Sequence, residues 1–146
     1  ASLLLMPIVG FLPPSDPRIR RTVECIEQRL VVNGLVLRYD THRRDDGLPP
    51  GEGAFLACSF WLADAYVMME RHEDARVLFE RLLALQNDVG LLPEEYDPVA
   101  KQFLGNYPQA FSHVALVTTA LNLQRQAHET APHPAEQRAH NGGPAT

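Results

Sequence analysis

The sequence has few of the features that mark whole classes of protein. Its 146 residues hold two cysteines, Cys25 and Cys58, too few for a disulfide scaffold and without the close spacing of a cysteine zinc site. Basic residues are also scarce, because 13 Lys and Arg stand against 18 Asp and Glu, a formal net charge of −5. This balance argues against nucleic acid or an anionic membrane as the main partner.

Long apolar runs and familiar catalytic motifs are missing as well. No run reaches the roughly 20 apolar residues that a membrane-spanning helix needs, so we expect no membrane span. The sequence has no P-loop, no GxGxxG and no GxSxG motif. None of its six histidines stands at the pair spacing typical of metal ligands. We therefore expect neither a cofactor nor a metal.

The chain begins inside an apolar stretch, at Ala1 and not at a methionine, and no basic leader precedes that stretch. A start of this kind is typical of a chain cut from a longer protein. We expect that longer protein to be cytoplasmic.

Two segments have one apolar and one charged face. The first, residues 17–32, has apolar residues spaced four, three and four apart, which predicts an amphipathic helix. Ser15 or Asp16 is placed to cap its start, and Asn33-Gly34 is predicted to cap its end. The second amphipathic helix is predicted over residues 73–86.

Three other segments are apolar on nearly all sides and predict buried helices. They are residues 2–12, with a kink or an end near Pro7, residues 54–69, and residues 109–123. Buried and amphipathic segments therefore alternate, as they would in two concentric layers of helices. Long loops at 38–53 and 91–108 would share one face, and the short connections at 13–16 and 70–72 the other. We expect one domain over residues 1–127 and a disordered tail over 128–146.

A helical-repeat module that binds a protein or a sugar without catalysis is the alternative interpretation. Residues 54–86 would then be one helical hairpin of an interaction array. The sequence shows no clear repeat of about 34 residues, which disfavours this alternative.

Glu94 and Glu95 are candidates for acid–base chemistry because both lie in the long loop before a buried helix. A carboxylate held near a reacting carbon can take a proton from water. Adjacent carboxylates are also common in solvated turns, so the residues alone leave both interpretations open.

Arg38, Tyr39 and Phe55 are candidates for contacts with a ligand. Arg38 offers planar paired donors to hydroxyl or carboxylate groups at the mouth of the other long loop. A surface arginine with Tyr39 packed beneath it is the competing interpretation. Phe55, at the start of a buried helix, is placed to line a pocket, whereas Trp61 is more typical of core packing.

Several stretches together resemble a known family of enzymes. They are Ser2-Leu-Leu-Leu, Val9-Gly-Phe-Leu, Gly34-Leu-Val-Leu-Arg-Tyr, Gly51-Glu-Gly-Ala-Phe-Leu-Ala-Cys-Ser-Phe-Trp-Leu, Asn87-Asp-Val-Gly-Leu-Leu-Pro-Glu-Glu-Tyr-Asp-Pro and Gly105-Asn-Tyr-Pro-Gln-Ala-Phe-Ser-His. In this order and spacing they resemble the C-terminal part of bacterial glycoside hydrolase family 15 proteins, the glucoamylase, glucodextranase and trehalase group. The similarity covers about residues 1–125.

The resemblance implies an all-α fold that forms part of an (α/α)6 barrel, a toroid of six hairpins with buried inner and amphipathic outer helices. It implies hydrolysis of α-glucosidic bonds with inversion. Glu94 matches the family's general base, and Glu95, the second candidate, stands where relatives have Gln. Arg38 and Tyr39 match a pair that lines the sugar site, and Phe55 stands where relatives place an aromatic side chain.

The family's general acid lies on an earlier loop of the barrel, and nothing in this chain matches it. Since an inverting enzyme needs two carboxyl groups, we expect this chain alone to be inactive. The expected partners are an α-glucoside oligosaccharide or disaccharide and the upstream half of the same barrel.

Overall fold

The computed structural model describes residues 1–40 and 52–130. These residues are mostly helical, as the all-α prediction requires, and two small antiparallel sheets accompany the helices. The elements in order are a 3-10 helix (Ser2–Leu5), α1 (Pro17–Leu30), β1 (Val31–Val32), β2 (Leu35–Val36), β3 (Ala54–Phe55), α2 (Leu56–Met68), α3 (His72–Leu83), β4 (Glu95–Asp97), β5 (Gln102–Leu104) and α4 (Ala110–Thr130).

Helix α1 follows its sequence pattern. The Asp16 carboxylate accepts the backbone N–H of Arg18 at 2.8 Å, which caps the helix start as predicted. Ile19, Val23 and Ile26 are buried on one face, and the charged residues between them face water. The predicted amphipathic helix is therefore confirmed, and it ends two residues earlier than expected.

The Asn33-Gly34 pair was predicted to cap α1, and that prediction is wrong. Both residues have positive φ, 47° and 75°, and they form the turn between β1 and β2. Positive φ at two consecutive turn residues suits the tight hairpins that Asn-Gly favours. The apolar residues on either side pair across this hairpin, which ends the helix at Leu30.

The N-terminal segment does not form the buried helix predicted for residues 2–12. Its 3-10 helix ends before Pro7, and Gly10 adopts a φ of 72° that a helix cannot continue. Leu4 is buried, whereas Val9 and Phe11 are 72% and 70% exposed. This segment therefore leaves an apolar surface uncovered by the described residues.

Helices α2, α3 and α4 pack together, with α2 at the centre. Nearly every side chain from Leu56 to Tyr66 is buried, so the predicted buried helix is confirmed. Helix α3 is amphipathic as predicted and buries Ala75, Leu78 and Leu82. Helix α4 was predicted to be buried, but only one of its faces is buried. Its opposite face exposes a row of apolar side chains: Phe111, Val114, Val117 and Leu121.

The segment 91–108, predicted to be a loop, contains two strands. Strand β4 pairs with β3 on one side and with β5 on the other, so that Glu95 lies opposite Phe55 and Leu104. Short alternating segments separated by turn residues lack the length that makes a strand visible in sequence. This sheet fixes Glu94 and Glu95 at the start of α2.

Parts of the predictions lie outside the described residues. These are most of the 38–53 loop, from residue 41 to 51, and the predicted tail from residue 131 onward. Helix α4 continues to Thr130, across the boundary expected after residue 127. In the part of the chain that the structure describes, no helix is long and apolar enough to cross a membrane.

A buried carboxylate joins α2 to α4 and gives the fold a testable pH dependence. Asp64 is 2% exposed and accepts a hydrogen bond from the Asn122 amide at 3.0 Å. Burial raises the pKa of Asp64 above its ordinary value of 3.8, because the charged form loses its hydration.

The folded chain therefore binds a proton at Asp64 more readily than the unfolded chain. Its free energy of unfolding should fall as the pH rises from about 3.8 through the raised pKa, by about 1.4 kcal/mol for each unit of pKa shift. Asp64→Asn keeps an oxygen that accepts the Asn122 bond and should flatten this dependence. Urea unfolding of the unaltered chain and of the Asp64→Asn variant, each at several pH values, measures this dependence. Equal slopes of the free energy of unfolding against pH would contradict the assignment.

Candidate active site

The two candidate carboxylates, Glu94 and Glu95, are held in position by strand β4 and by the start of α2. The backbone carbonyl of Glu94 accepts the N–H of Leu56, the first residue of α2, at 3.1 Å. Glu95 follows on β4, directly opposite Phe55. Glu94 lies in the bend just before β4, and the two carboxylates have different hydrogen-bond partners.

The Glu94 carboxylate lies against the segment after β5. Its Oε2 accepts two hydrogen bonds from Asn106, one from the backbone N–H at 2.9 Å and one from the side-chain amide at 2.8 Å. Gly105 packs so closely that a Cβ there would lie 2.8 Å from the same oxygen. One carboxylate oxygen is thus fixed, and Oε1 accepts no hydrogen bond from the described residues.

The Glu95 carboxylate lies on the side of β4 that faces Gly53. Its Oε2 accepts the backbone N–H of Gly53 at 3.1 Å. Burial raises the pKa of Glu95, and the nearby negative charge of Glu52 acts in the same direction. The hydrogen bond from Gly53 and the positive charge of Arg38 oppose the rise.

Arg38 forms the positive part of the site. Its guanidinium forms an ion pair with Glu52 and approaches the Tyr39 hydroxyl at 3.4 Å. The guanidinium carbon lies 5.0 Å from the centre of the Tyr39 ring and 5.8 Å from that of Phe55. These distances allow cation–π attraction, which helps to orient an otherwise exposed arginine.

Phe55 belongs to a group of three aromatic rings. Its ring centre lies 6.0 Å from that of Phe111, and Phe111 lies 5.9 Å from Trp61 in an edge-to-face arrangement. Trp61 is half-buried and packs against the hydrophobic core, as its position in sequence indicated. Phe111 is 45% exposed, so this group presents aromatic surface beside Arg38.

The structure therefore brings four of the five predicted site residues into one cluster, namely Arg38, Tyr39, Phe55 and Glu95. Glu94 is adjacent in sequence, and its carboxylate is bound on the other side of β4, by Asn106. The cluster offers a cation, aromatic faces and a half-buried carboxylate, which suits a polyhydroxylated ligand. Among the described residues, no group of three His, Cys, Asp or Glu side chains stands close enough to hold a metal ion.

The sequence did not indicate three residues of this region: Glu52, Asn106 and Phe111. Glu52 and Asn106 both lie in stretches that carry the family resemblance, yet their side chains act through partners 14 and 12 residues away. No local pattern indicates such contacts. Phe111 has a helical apolar spacing that fits a core residue equally well.

Comparison with known proteins gives this site its context. The family model for glycosyl hydrolases family 15 matches residues 1–121. Trehalases from Mycobacterium tuberculosis and Mycolicibacterium smegmatis are each 46% identical over 129 residues, which is 88% of this chain. A trehalase from Thermoplasma acidophilum is 41% identical over 85% of the chain. The chain belongs to glycosyl hydrolase family 15.

The match is much shorter than these relatives. The chain spans about a fifth of their length, 19% of both mycobacterial trehalases and 21% of the Thermoplasma protein. No solved structure matches the chain.

Proposed function

We propose that this chain supplies the general-base half of an active site that hydrolyses α-glucosidic bonds with inversion. Glu94 is the base, with Glu95 as the second candidate. The observation that carries the proposal is the Glu94 carboxylate, which Asn106 holds at Oε2 while Oε1 accepts no hydrogen bond from the described residues. Glu94 directly precedes Glu95 of the cluster suited to a sugar. A base in this arrangement can hold a water molecule in one orientation.

In the proposed reaction, Oε1 of Glu94 takes a proton from a water molecule as the water oxygen attacks the anomeric carbon. The bond from that carbon to the glycosidic oxygen breaks, and the departing oxygen receives a proton from a general acid. Because water attacks opposite the departing group, the configuration at the anomeric carbon inverts. The described residues supply the base and the sugar contacts in this scheme.

Arg38, Tyr39 and Phe55 hold the sugar in this proposal. The Arg38 guanidinium donates to a sugar hydroxyl, a role that its planar donors suit. Tyr39 and Phe55 shape the wall of the pocket and keep the guanidinium in place. Glu52 neutralises Arg38 and limits its rotation.

The general acid lies upstream in this proposal, in the part of the relatives that this chain does not cover. Residues 1–127 would form one part of an (α/α)6 barrel, and the remaining helices would cover the exposed apolar row on α4. The exposed apolar side chains of the N-terminal segment support the same arrangement, because monomers rarely leave such patches open to water. The upstream half of the barrel is then this chain's main partner. We call the two parts together the complete polypeptide.

Trehalose is the first substrate to test, because the similar curated proteins are named trehalases. Maltooligosaccharides and dextran-type glucosides remain the alternatives. Glucose release by the complete polypeptide from trehalose, from maltotriose and from the dextran-type isomaltotriose tests the proposal. Release from none of these sugars by a folded protein would contradict it.

The ion pair between Arg38 and Glu52 yields a prediction on substrate affinity. Glu52→Gln leaves Arg38 without its anionic partner, so the guanidinium should be held less firmly for the sugar. We expect KM to rise about two- to fivefold with little change in kcat, the scale of a partly exposed ion pair. Steady-state kinetics of the complete polypeptide measures both constants.

Glu80→Gln is the matched control, because Glu80 forms an ion pair with Arg76 on α3, outside the cluster. Its KM should equal that of the unaltered protein. An equal rise in KM for both variants, or none for Glu52→Gln, would remove Glu52 from the site.

A further inference from the structure

Asn106 forms three hydrogen bonds with Glu94. Besides the two bonds that it donates to Oε2, its backbone carbonyl accepts the N–H of Glu94 at 2.9 Å. Both the backbone and the side chain of Glu94 are therefore fixed by a single residue. Nothing in the sequence or in the likeness to other proteins assigns Asn106 a function.

The fold brings Asn106 to this place through strand pairing. Glu95 pairs with Leu104 at the end of β5, so the two residues that follow Leu104 lie beside Glu94. Gly105 has a φ of 71°, which turns the chain so that the Asn106 N–H and amide both reach Oε2. Its missing side chain also matters, because a Cβ would lie 3.0 Å from the Cβ of Glu94.

We infer that Asn106 is a positioning residue for the proposed base, which it holds by Oε2 so that Oε1 points to the attacking water, and that Gly105 leaves the room this requires. The inference rests on the proposed role of Glu94. A carboxamide suits the task because it donates a hydrogen bond without changing its charge with pH. An ionisable donor would couple the geometry of the base to its own titration.

Gly105→Ala and Gly90→Ala form a matched pair of variants. Both glycines have a similar positive φ, 71° and 79°, so both substitutions strain the backbone alike. Only at Gly105 would the new Cβ press on Glu94, since nothing lies within 4 Å of the Cβ position at Gly90. In the complete polypeptide, we expect kcat to fall about 10- to 100-fold for Gly105→Ala, the scale of a displacement of about 1 Å. Gly90→Ala should keep kcat.

Asn106→Ala and Asn122→Ala form a second pair that does not depend on backbone strain. Each removes an amide that donates to a carboxylate, Glu94 in one case and the remote Asp64 in the other. Asn106→Ala should lower kcat by about tenfold and leave KM within about twofold. Asn122→Ala should lower the melting temperature and leave kcat unchanged.

The outcomes separate this inference from the proposed function. If Glu94→Gln remains active, Glu94 is not the base, and the proposed role itself fails. If Glu94→Gln is inactive while Asn106→Ala keeps the kcat of the unaltered protein, the contact of Asn106 with Glu94 is structural and the inference is overturned. Equal losses of kcat in Asn106→Ala and Asn122→Ala would overturn it as well.

Discussion

Glu94→Gln in the complete polypeptide is expected to lower kcat by about two to four orders of magnitude, the contribution typical of a general base. The substitution keeps the size of the side chain and an oxygen that can accept the Asn106 bonds. It removes the charge that would take the proton of the attacking water. Initial rates of glucose release at saturating substrate measure the loss, and KM should change little.

Glu95→Gln is the control for this experiment, because its side chain has the same length and lies next in sequence. The new amide oxygen can still accept the N–H of Gly53, so the strand should keep its pairing. We expect a loss below the roughly 100-fold minimum for a general base. If Glu95→Gln loses two orders of magnitude or more while Glu94→Gln does not, the base is Glu95, the carboxylate that lies with Arg38.

The 146-residue chain alone is expected to show no glycosidase activity. Under the proposed function the general acid comes from the upstream part, so an isolated base cannot protonate the departing oxygen. The exposed apolar rows on α4 and in the N-terminal segment should also make the isolated chain associate. Glucose release and light scattering, each measured on the chain and on the complete polypeptide at equal concentration, test both expectations.

Rapid glucose release by the isolated chain would contradict this expectation. The general acid would then have to be a carboxyl group within residues 1–146, and Glu52 and Glu95 would be the first to substitute. A chain that is monomeric, well folded and without affinity for sugar would instead favour the alternative of a non-catalytic helical module.

The helices were predictable from sequence where the pattern of apolar residues is clear. Helix α1 and helix α3 each have a regular apolar stripe, so periodicity places them. Helix α2 is apolar on nearly all sides, and the length of its apolar run predicts a buried helix. Helix α4 was predicted as a helix but not as half-exposed. An apolar face shows that a side chain needs cover, and it does not show which segment covers it.

The turns and strands were harder to predict, because the same residue pair occurs in different local structures and the strands are short. Asn33-Gly34 suits a helix end and a hairpin equally, and the pairing of Val32 with Leu35 decides between them. Strands β4 and β5 have three residues each and depend on each other for their hydrogen bonds. Their sequence alone predicted only a loop.

The sequence predicted which residues form the candidate site but not which residues contact them. The sequence indicated Arg38, Glu94 and Glu95 as residues with chemistry to offer. Long-range strand pairing determines the partners of these side chains. Those partners are Glu52 for Arg38 and Asn106 for Glu94. Hydrogen bonds between residues 12 or 14 positions apart leave no periodic trace in sequence.

The configuration of the first sugar released shows whether the hydrolysis proceeds by direct attack of water. Proton NMR of the complete polypeptide with trehalose, recorded before the anomers equilibrate, distinguishes the two stereochemical outcomes. Inversion at one anomeric carbon predicts equal initial amounts of β-glucose, from the attacked ring, and α-glucose, from the departing ring. Initial formation of α-glucose alone would show retention and would contradict a mechanism in which Glu94 activates water for direct attack.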